Sequence, residues 1–238
     1  MADVVVMPVY NEETTVGAVL DSVRRHFDGD ILVVDDGSTD GTVEVLAARR
    51  DVSVITHPAN LGYGRALAEG FSVARVRGAQ RIVTMDCDGQ HEPAHIPEFL
   101  QRLDQSYDIV SGSRYLPESR AVGTAPAARR EVNARVTAEI NRVTGWGITD
   151  AFCGFKAYRA SALDAMTFEE PGYAMPLELW ACAYRAGLAI TELPIERIYC
   201  DRDRSFGEAL DDPELRFAYY MRVWHRALGH ESKEVETA

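Results

Sequence analysis

Short, mostly apolar runs alternate with amphipathic segments through the first half of this chain of 238 residues. Brief apolar runs that are bounded by polar residues are typical of strands buried in a sheet. The pattern predicts strands at Val4–Val9, Ile31–Asp35, Val52–Thr56, Arg81–Asp86 and Asp108–Ser111.

Between these runs, apolar residues recur at helical spacing. One such stripe comprises Val16, Val19, Leu20, Val23 and Phe27, and another comprises Leu67, Phe71 and Ala74. Alternating strands and helices with short connections predict an α/β fold, with a Rossmann-like, mostly parallel central sheet and helices on both faces. In such sheets, ligands bind beyond the carboxyl ends of the strands.

The second half of the chain has a looser pattern. A long loop is predicted from Gly112, followed by helices at Arg130–Thr144, Pro176–Ala186 and Pro213–Leu228 and by a strand at Ala189–Pro194. Gly187 is suited to end the second of these helices. We expect one domain over residues 1–228, made of the halves 1–111 and 112–228, and a disordered tail over residues 229–238.

Charge and composition exclude several classes of protein. The formal net charge of −12 argues against non-specific nucleic-acid binding, which requires an excess of Lys and Arg. No stretch approaches the roughly 18 apolar residues of a membrane span, and the N-terminus lacks the features of a signal peptide. The four cysteines show no paired spacing, which indicates neither a disulfide framework nor a zinc site. We therefore expect a cytoplasmic protein.

The segment "VTMDCDGQHEP" places Asp86, Asp88 and Gln90 at every second position where a predicted strand ends. In an extended segment, alternate residues point to one face, so Asp86 and Asp88 are expected to converge, and Gln90 joins them if the extended path continues. Carboxylate and amide oxygens suit Mg²⁺ or Mn²⁺ rather than zinc, and such ions are completed by substrate phosphates. The alternative is a turn that caps the helix expected near Pro93.

Three other polar segments follow predicted strands. In "VVDDGSTDGT", Asp36 is placed to accept from a ribose hydroxyl or a base N–H, whereas the residues after it suit a turn. In "MPVYNEE", Tyr10 offers a stacking surface and Glu12 an acceptor. In "HPANLGYGRALAEGF", Gly62 and Gly64 would let backbone approach a ligand at a helix N-terminus, which favours an anion.

Taken together, these motifs resemble those of the family 2 glycosyltransferases, most closely the dolichyl-phosphate mannosyltransferase-like branch. "MPVYNEE", "VVDDGSTDGT", "NLGYGRAL", "MDCDGQHEP", "SGSRY" and "DAFCGFKAYR" occur in the family's order between Val4 and Glu196. The resemblance implies the A-type glycosyltransferase fold, a nucleotide-sugar donor, a divalent metal (Mg²⁺ or Mn²⁺) and inversion at the anomeric carbon. It also makes residues 1–111 the nucleotide-sugar-binding half and 112–228 the acceptor side.

The resemblance further implies roles for individual residues. The base and ribose would be bound by Pro8, Tyr10, Glu12, Val34 and Asp36. The metal and diphosphate motif corresponds to Asp86, Cys87, Asp88 and Gln90. Arg114 in "SGSRY" would reach the donor's phosphates or sugar, and Arg204 in "DRDRSFGEAL" would contact the diphosphate. In that last element, Ala209 and Leu210 stand where the family pattern has Ser and Lys.

The acceptor decides whether a base is needed. A polyprenyl phosphate is already anionic, whereas a hydroxyl acceptor requires a carboxylate to take its proton. Asp150 is the first candidate for that base and Glu178 the second. Each has a structural alternative, since Asp150 is also suited to cap a turn and Glu178 to pair with Arg185 one helical turn away.

The sequence leaves open the role of the last helix and the class of nucleotide-binding protein. The apolar stripe of the last predicted helix, Phe217, Met221, Trp224 and Leu228, suits packing on its own domain better than peripheral membrane contact. A nucleotidyltransferase would carry a Gly-rich basic loop after the first strand, where "PVYNEE" stands instead. A silent nucleotide-sugar-binding module would have no use for the two carboxylates. The resemblance to the mannosyltransferase-like branch favours GDP-mannose as the donor, with UDP-glucose next.

Overall fold

A computed structural model describes residues 2–123, 126–198 and 208–229. Its nine strands in these ranges are β1 Asp3–Val9, β2 Asp30–Asp35, β3 Ser53–Thr56, β4 Arg81–Thr84, β5 Ile109–Ser113, β6 Ala121–Val122, β7 Lys156–Arg159, β8 Ile190–Pro194 and β9 Arg197–Ile198. The α-helices in these ranges are α1 Val16–His26, α2 Thr42–Ala47, α3 Tyr63–Val76, α4 Ile96–Leu103, α5 Ala127–Thr144, α6 Met175–Arg185 and α7 Pro213–Ala227.

Seven strands form the central sheet in the order β3-β2-β1-β4-β7-β5-β8. All neighbours pair in parallel except β7, which is antiparallel to both β4 and β5. This confirms the predicted mostly parallel α/β sheet. The carboxyl ends of β1, β2, β4 and β5 therefore lie at one edge of the sheet, which brings the polar segments after them together.

Alternation along β1 shows how the sheet is covered on both faces. Val4 and Val6 belong to one apolar cluster, together with residues of α3, α5, α6 and α7. Val5, Met7 and Val9 point the other way, into a second cluster with α1 and α4. Because successive side chains of a strand face opposite sides, an almost unbroken apolar run is needed to fill two cores.

The second half differs in detail from its prediction. The first of its helices begins at Ala127, three residues earlier than expected, and the predicted loop contains β6, which pairs with β9. Gly187 has a φ of +67° just after α6, which fits its predicted role at the helix end. Trp224 of α7 is fully buried in the cluster shared with α5 and α6, so the apolar face of α7 packs on its own domain.

Among the described residues, no helix is both long enough and apolar enough to cross a membrane. Arg204 and residues 230–238 of the predicted tail lie outside the described residues.

Candidate active site

A cavity of about 410 Å³ lies at the edge of the sheet where β1, β2, β4 and β5 end. This volume is in the range of sites that bind small molecules. Predicted site residues that line the cavity are Pro8, Tyr10, Glu12, Asp36, Asp86, Cys87, Asp88, Gln90 and Arg114. The segments after four separate strands therefore meet in one site, as the topology requires.

Some predicted residues of the described ranges do not line this cavity, Val34 and Asp150 among them. Val34 is fully buried within β2, and it packs towards Gly70 of α3. Asp150 is also fully buried. The side chain of Val34 therefore belongs to the core rather than to the wall that would flank a base, because its position in β2 points it under α3.

The acidic motif reaches the cavity by a turn. β4 ends at Thr84, two residues before the predicted end. The prediction that the chain stays extended as far as Gln90 is therefore wrong. Gly89 has a φ of +74°, and the Gln90 N–H donates to Asp88 Oδ1 at 3.0 Å. Asp86 and Asp88 nevertheless both line the cavity, which places two carboxylates and the residue after the glycine on one wall.

Asp86 is held from two sides. The Tyr63 hydroxyl donates to Asp86 Oδ1 at 3.2 Å, and the Asp86 N–H donates to His91 Nδ1 at 3.1 Å. Burial raises the pKa of Tyr63, and the charge of Asp86 raises it further, so the hydroxyl stays protonated as a donor. Burial lowers the pKa of His91, which keeps its Nδ1 available as an acceptor.

The oxygen donors fit a hard divalent cation. Asp86 and Asp88 offer carboxylate oxygens to the same cavity, and Gln90 adds an amide. Within the described ranges, no group of three or more His, Cys, Asp or Glu side chains could hold a metal. An ion at this wall would therefore take further ligands from a phosphorylated substrate, as Mg²⁺ sites commonly do.

Asp36 organises the loop that opens α3. Its buried carboxylate accepts from the backbone N–H groups of Leu61, at 2.9 Å, and Gly62, at 2.8 Å. His57 Nδ1 lies 2.6 Å from Asp36 Oδ1. A carboxylate has about four acceptor positions, so three bonds leave capacity for a ligand in the cavity that Asp36 lines.

The glycines at the start of α3 have a different role from the one predicted. The N–H groups of Gly64 and Arg65 donate to the Pro171 carbonyl at 2.7 and 3.2 Å. A Cβ on Gly62 or Gly64 would lie 2.3 or 2.2 Å from carbonyl oxygens of this same segment. The helix N-terminus is therefore capped by residues 170–172, and the expectation that its glycines admit an anion is wrong.

Arg114 and Asp150 form a buried ion pair behind the cavity wall. Arg114 Nε and Nη2 donate to the two oxygens of Asp150 at 2.7 and 2.9 Å, and Asn133 Nδ2 donates at 2.9 Å. Burial alone would raise the pKa of Asp150, but the Arg114 charge and these hydrogen bonds bring it to about 2. This environment disfavours the predicted role of Asp150 as a general base, because a weakly basic, enclosed carboxylate cannot take an acceptor's proton.

Glu178, the second candidate base, does not line the cavity either. Its carboxylate accepts from the backbone N–H groups of Glu169 and Glu170 at 2.8 and 2.9 Å. Arg185 does not pair with it, since Arg185 donates to the Ala227 carbonyl at the end of α7. Glu178 therefore holds the loop before α6 in place.

Several other side chains that line the cavity were not predicted. Arg129 of α5, Arg216 of α7 and Tyr220 of α7 all line the cavity. Burial raises the pKa of Tyr220 to about 12, and the positive charges of Arg216 and Arg129 oppose that rise. The spacing of Arg216 and Tyr220, one helical turn apart beside an apolar stripe, is the sequence signal that would have indicated them.

Comparisons with known proteins agree with this arrangement. Residues 4–167 match the family model described as "Glycosyl transferase family 2". An undecaprenyl-phosphate mannosyltransferase of Micrococcus luteus is 32% identical over 215 residues, which is 86% of this chain and 85% of the relative. A polyprenol monophosphomannose synthase of Mycolicibacterium smegmatis is 32% identical over 200 residues, covering 80% and 75%.

A solved structure shows the same fold. Glucosyl-3-phosphoglycerate synthase of Mycobacterium tuberculosis, in complex with Mn²⁺, uridine diphosphate and glucosyl-3-phosphoglycerate, superposes with a TM-score of 0.72 at 22% identity. The match covers 95% of this chain and 80% of that one. The A-type glycosyltransferase fold implied by the sequence motifs is thereby confirmed.

Proposed function

Because this chain belongs to glycosyl transferase family 2, we propose that it moves a hexose from a nucleotide sugar, with inversion, to the phosphate of a polyprenyl phosphate. One observation carries this proposal. A single cavity is lined both by two carboxylates, Asp86 and Asp88, which follow β4, and by two cationic side chains, Arg129 of α5 and Arg216 of α7. The carboxylates suit a metal-bound diphosphate, and the arginines suit an anionic acceptor.

The donor would occupy the side formed by the loops after β1, β2 and β4. Tyr10, 41% exposed on the cavity wall, is placed to stack on the base, and Glu12 and Asp36 supply acceptors for the nucleoside. GDP-mannose and UDP-glucose are the donors we would test first. The first agrees with the mannosyl relatives and the second with the uridine diphosphate complex.

Asp86 and Asp88, with Gln90, would hold Mg²⁺ or Mn²⁺. When bound, such an ion neutralises negative charge on the leaving diphosphate. Arg114 adds a fixed positive charge at the same cavity, and Asp150 keeps its guanidinium in one orientation. Preorganised charge of this kind stabilises the diphosphate as the glycosidic C–O bond breaks. We therefore assign Asp150 as a positioning residue and Arg114 as a catalytic one.

The acceptor side needs no general base in this account. A phosphate oxygen is already anionic and attacks the anomeric carbon directly, whereas a hydroxyl would need a carboxylate to take its proton. Asp150 and Glu178, the predicted bases, are both enclosed away from the cavity. The arginines would hold the acceptor phosphate in line with the anomeric carbon.

Two exposed apolar side chains lie in the cavity lining or next to one of its residues in sequence. Tyr173 lines the cavity and is 42% exposed, and Leu215, next to Arg216 in α7, is 58% exposed. They would contact the first prenyl units of a lipid acceptor. We accordingly propose that the protein acts as a peripheral membrane protein at the cytoplasmic face of a membrane, where it would meet a lipid acceptor.

A transfer assay tests the proposal. The protein is incubated with Mn²⁺, radiolabelled GDP-mannose or UDP-glucose and undecaprenyl phosphate in detergent, and label is counted in the organic phase. We expect metal-dependent transfer to undecaprenyl phosphate and none to undecaprenol. Label transferred only to soluble phosphoglyceric acid would contradict the lipid acceptor. Binding without any transfer would indicate a silent module, and pyrophosphate release from a nucleoside triphosphate would indicate a nucleotidyltransferase.

Two arginine variants test the proposed contact between the cavity arginines and the acceptor phosphate. Arg129→Ala removes a cavity cation, whereas Arg142→Ala removes an exposed arginine of the same helix that pairs with Glu139. We expect Arg129→Ala to raise the acceptor KM by about tenfold or more, since hydrogen bonds to charged groups have that size. Arg142→Ala should leave it unchanged. Equal effects of the two variants would show that the cavity position of Arg129 does not matter.

A further inference from the structure

A buried histidine links the donor side of the cavity to the protein surface. His57, at the end of β3, is 5% exposed. Its Nδ1 lies 2.6 Å from Asp36 Oδ1, and its Nε2 lies 2.8 Å from Glu69 Oε2. Asp36 lines the cavity, while the Glu69 side chain on α3 is 39% exposed on the far side of the ring. The three residues form a chain from solvent to the nucleoside pocket.

The two bonds dictate the protonation state of the ring. An ionised carboxylate can only accept, so each ring nitrogen that faces one must carry a proton. Neutral imidazole has one N–H, whereas imidazolium has two. The geometry of His57 is therefore satisfied in full only by the imidazolium, which donates to Asp36 and Glu69 at the same time.

The bond to His57 decides where the Asp36 carboxylate points. Asp36 Oδ1 accepts from the ring and from Leu61 N–H, and Oδ2 accepts from Gly62 N–H. Without the ring, two backbone donors on one short loop would be left to orient a buried carboxylate. Gly62 also lines the cavity and packs on the Pro171 carbonyl, so a shift of Asp36 would move cavity wall as well.

We propose that His57 is a positioning residue for donor binding, which holds Asp36 toward the nucleoside and makes donor affinity depend on the protonation of its ring. The inference rests on the proposed function, because it assumes that the cavity binds a nucleoside diphosphate. Donor affinity would then depend also on His57, which lies outside the cavity wall, and through it on the charge of the exposed Glu69.

The expected pH dependence follows from the same contacts. The charged side chains that contact the ring are Asp36, after β2, and Glu69, on α3. Burial lowers the pKa of His57, but the hydrogen bonds and charges of these two carboxylates outweigh it and raise the pKa above the ordinary value of 6.5. The imidazolium therefore persists to higher pH than in a free histidine and is lost as the pH rises through the raised value. Donor affinity should fall as this charge is lost.

Calorimetric titration with GDP and with UDP, in the presence of Mn²⁺, tests the inference from about pH 6 to about pH 9. For the wild type we expect affinity that is flat at the acid end and falls at the alkaline end. His57→Gln, which keeps only one donor group, should bind about tenfold more weakly at the acid end of the titration and lose the alkaline fall. With substrate, the donor KM should rise while kcat changes by less than about twofold.

Two further variants separate positioning from a general loss of structure. Glu69→Gln acts from the exposed end of the relay and removes one charge, so the alkaline fall should move to lower pH while the affinity at the acid end of the titration is largely kept. His95→Gln is the matched control, because His95 makes a comparable pair with Glu196 at 2.7 Å and does not line the cavity. It should behave as wild type. Circular dichroism verifies that each variant is folded.

The outcomes distinguish this inference from the function on which it rests. If His57→Gln binds the nucleoside diphosphate with the affinity and the pH profile of the wild type, the role of His57 is overturned and the proposed function stands. An alkaline fall that Glu69→Gln does not move would likewise overturn the relay. A wild-type protein that binds no nucleoside diphosphate at all would overturn the proposed function and this inference with it.

Discussion

Replacing Asp150 with asparagine should destabilise the protein strongly and disable Arg114 at the same time. Asp150 is fully buried, and its oxygens accept two bonds from the Arg114 guanidinium, with the Arg114 side chain itself only 17% exposed. An asparagine of the same shape has one acceptor oxygen and an NH₂ group. The variant Asp150→Asn therefore turns a donor toward a buried cation that no longer has a counter-charge.

The magnitude can be worked out in two ways. The pKa of Asp150 falls from its ordinary value of 3.8 to about 2, and at about 1.4 kcal/mol per unit this drop corresponds to about 2 to 3 kcal/mol at neutral pH. Breaking a buried ion pair by removing one partner typically costs about 3 to 5 kcal/mol. Both values point to a loss of about 3 kcal/mol. Because the folded pKa is depressed, this contribution is present above the unfolded pKa and is lost as the pH falls from about 4 to about 2.

Urea unfolding followed by circular dichroism measures this loss. The matched control is Asp164→Asn, which removes a carboxylate from the pair with Arg75, where the Asp164 side chain is 63% exposed. Surface pairs contribute about 1 kcal/mol or less, so the control should stay near wild type. At acid pH the difference between wild type and Asp150→Asn should shrink.

Activity adds a second readout for Asp150. If it positions Arg114, Asp150→Asn lowers the rate of transfer without changing the shape of the pH–rate profile. A general base would instead remove the acid limb of that profile. A free energy of unfolding no lower than that of Asp164→Asn, or a lost acid limb, would refute the reasoning.

Three other changes give independent checks. Gly64→Ala should destabilise the protein by about 1 to 3 kcal/mol, because the new Cβ would lie 2.2 Å from a backbone carbonyl oxygen. Gly17→Ala in α1, whose Cβ would make only an ordinary 3.5 Å contact, should instead stabilise the protein by about 0.5 to 1 kcal/mol. Thermal unfolding of the two variants and the wild type measures both changes. Tyr219→Phe removes the hydroxyl that donates to Glu170 and should cost about 1 to 2 kcal/mol, with faster amide exchange in residues 168–173, and unchanged exchange there would contradict it.

Much of the fold could be predicted because it depends on local patterns. The apolar run of β1 fills two cores by simple alternation, and the helices between the strands carry regular stripes. Parallel topology then places the strand ends at one edge, so Tyr10, Asp36 and Asp86 could be assigned to one site before any coordinates were known.

Two of the predictions that did not hold depend on contacts distant in sequence. Nothing in the local sequence shows that the backbone N–H groups at the start of α3 donate to the Pro171 carbonyl, which lies more than a hundred residues further along the chain. The same is true of Asp150, whose neighbours Arg114 and Asn133 come from two other elements and turn a candidate base into a buried counter-ion. Burial and pairing, which decide what a carboxylate can do, are properties of the packed chain rather than of its motifs.

The central claim is that Asp86 and Asp88 join a divalent ion to the diphosphate of a nucleotide sugar. The most direct test is calorimetric titration of the purified protein with GDP-mannose and with UDP-glucose, in Mn²⁺ and then in chelator, for the wild type and for Asp88→Asn. We predict that at least one donor binds in Mn²⁺, and that chelator and Asp88→Asn each weaken this binding by about tenfold or more. Donor binding of equal strength with and without metal, unaffected by Asp88→Asn, would contradict it.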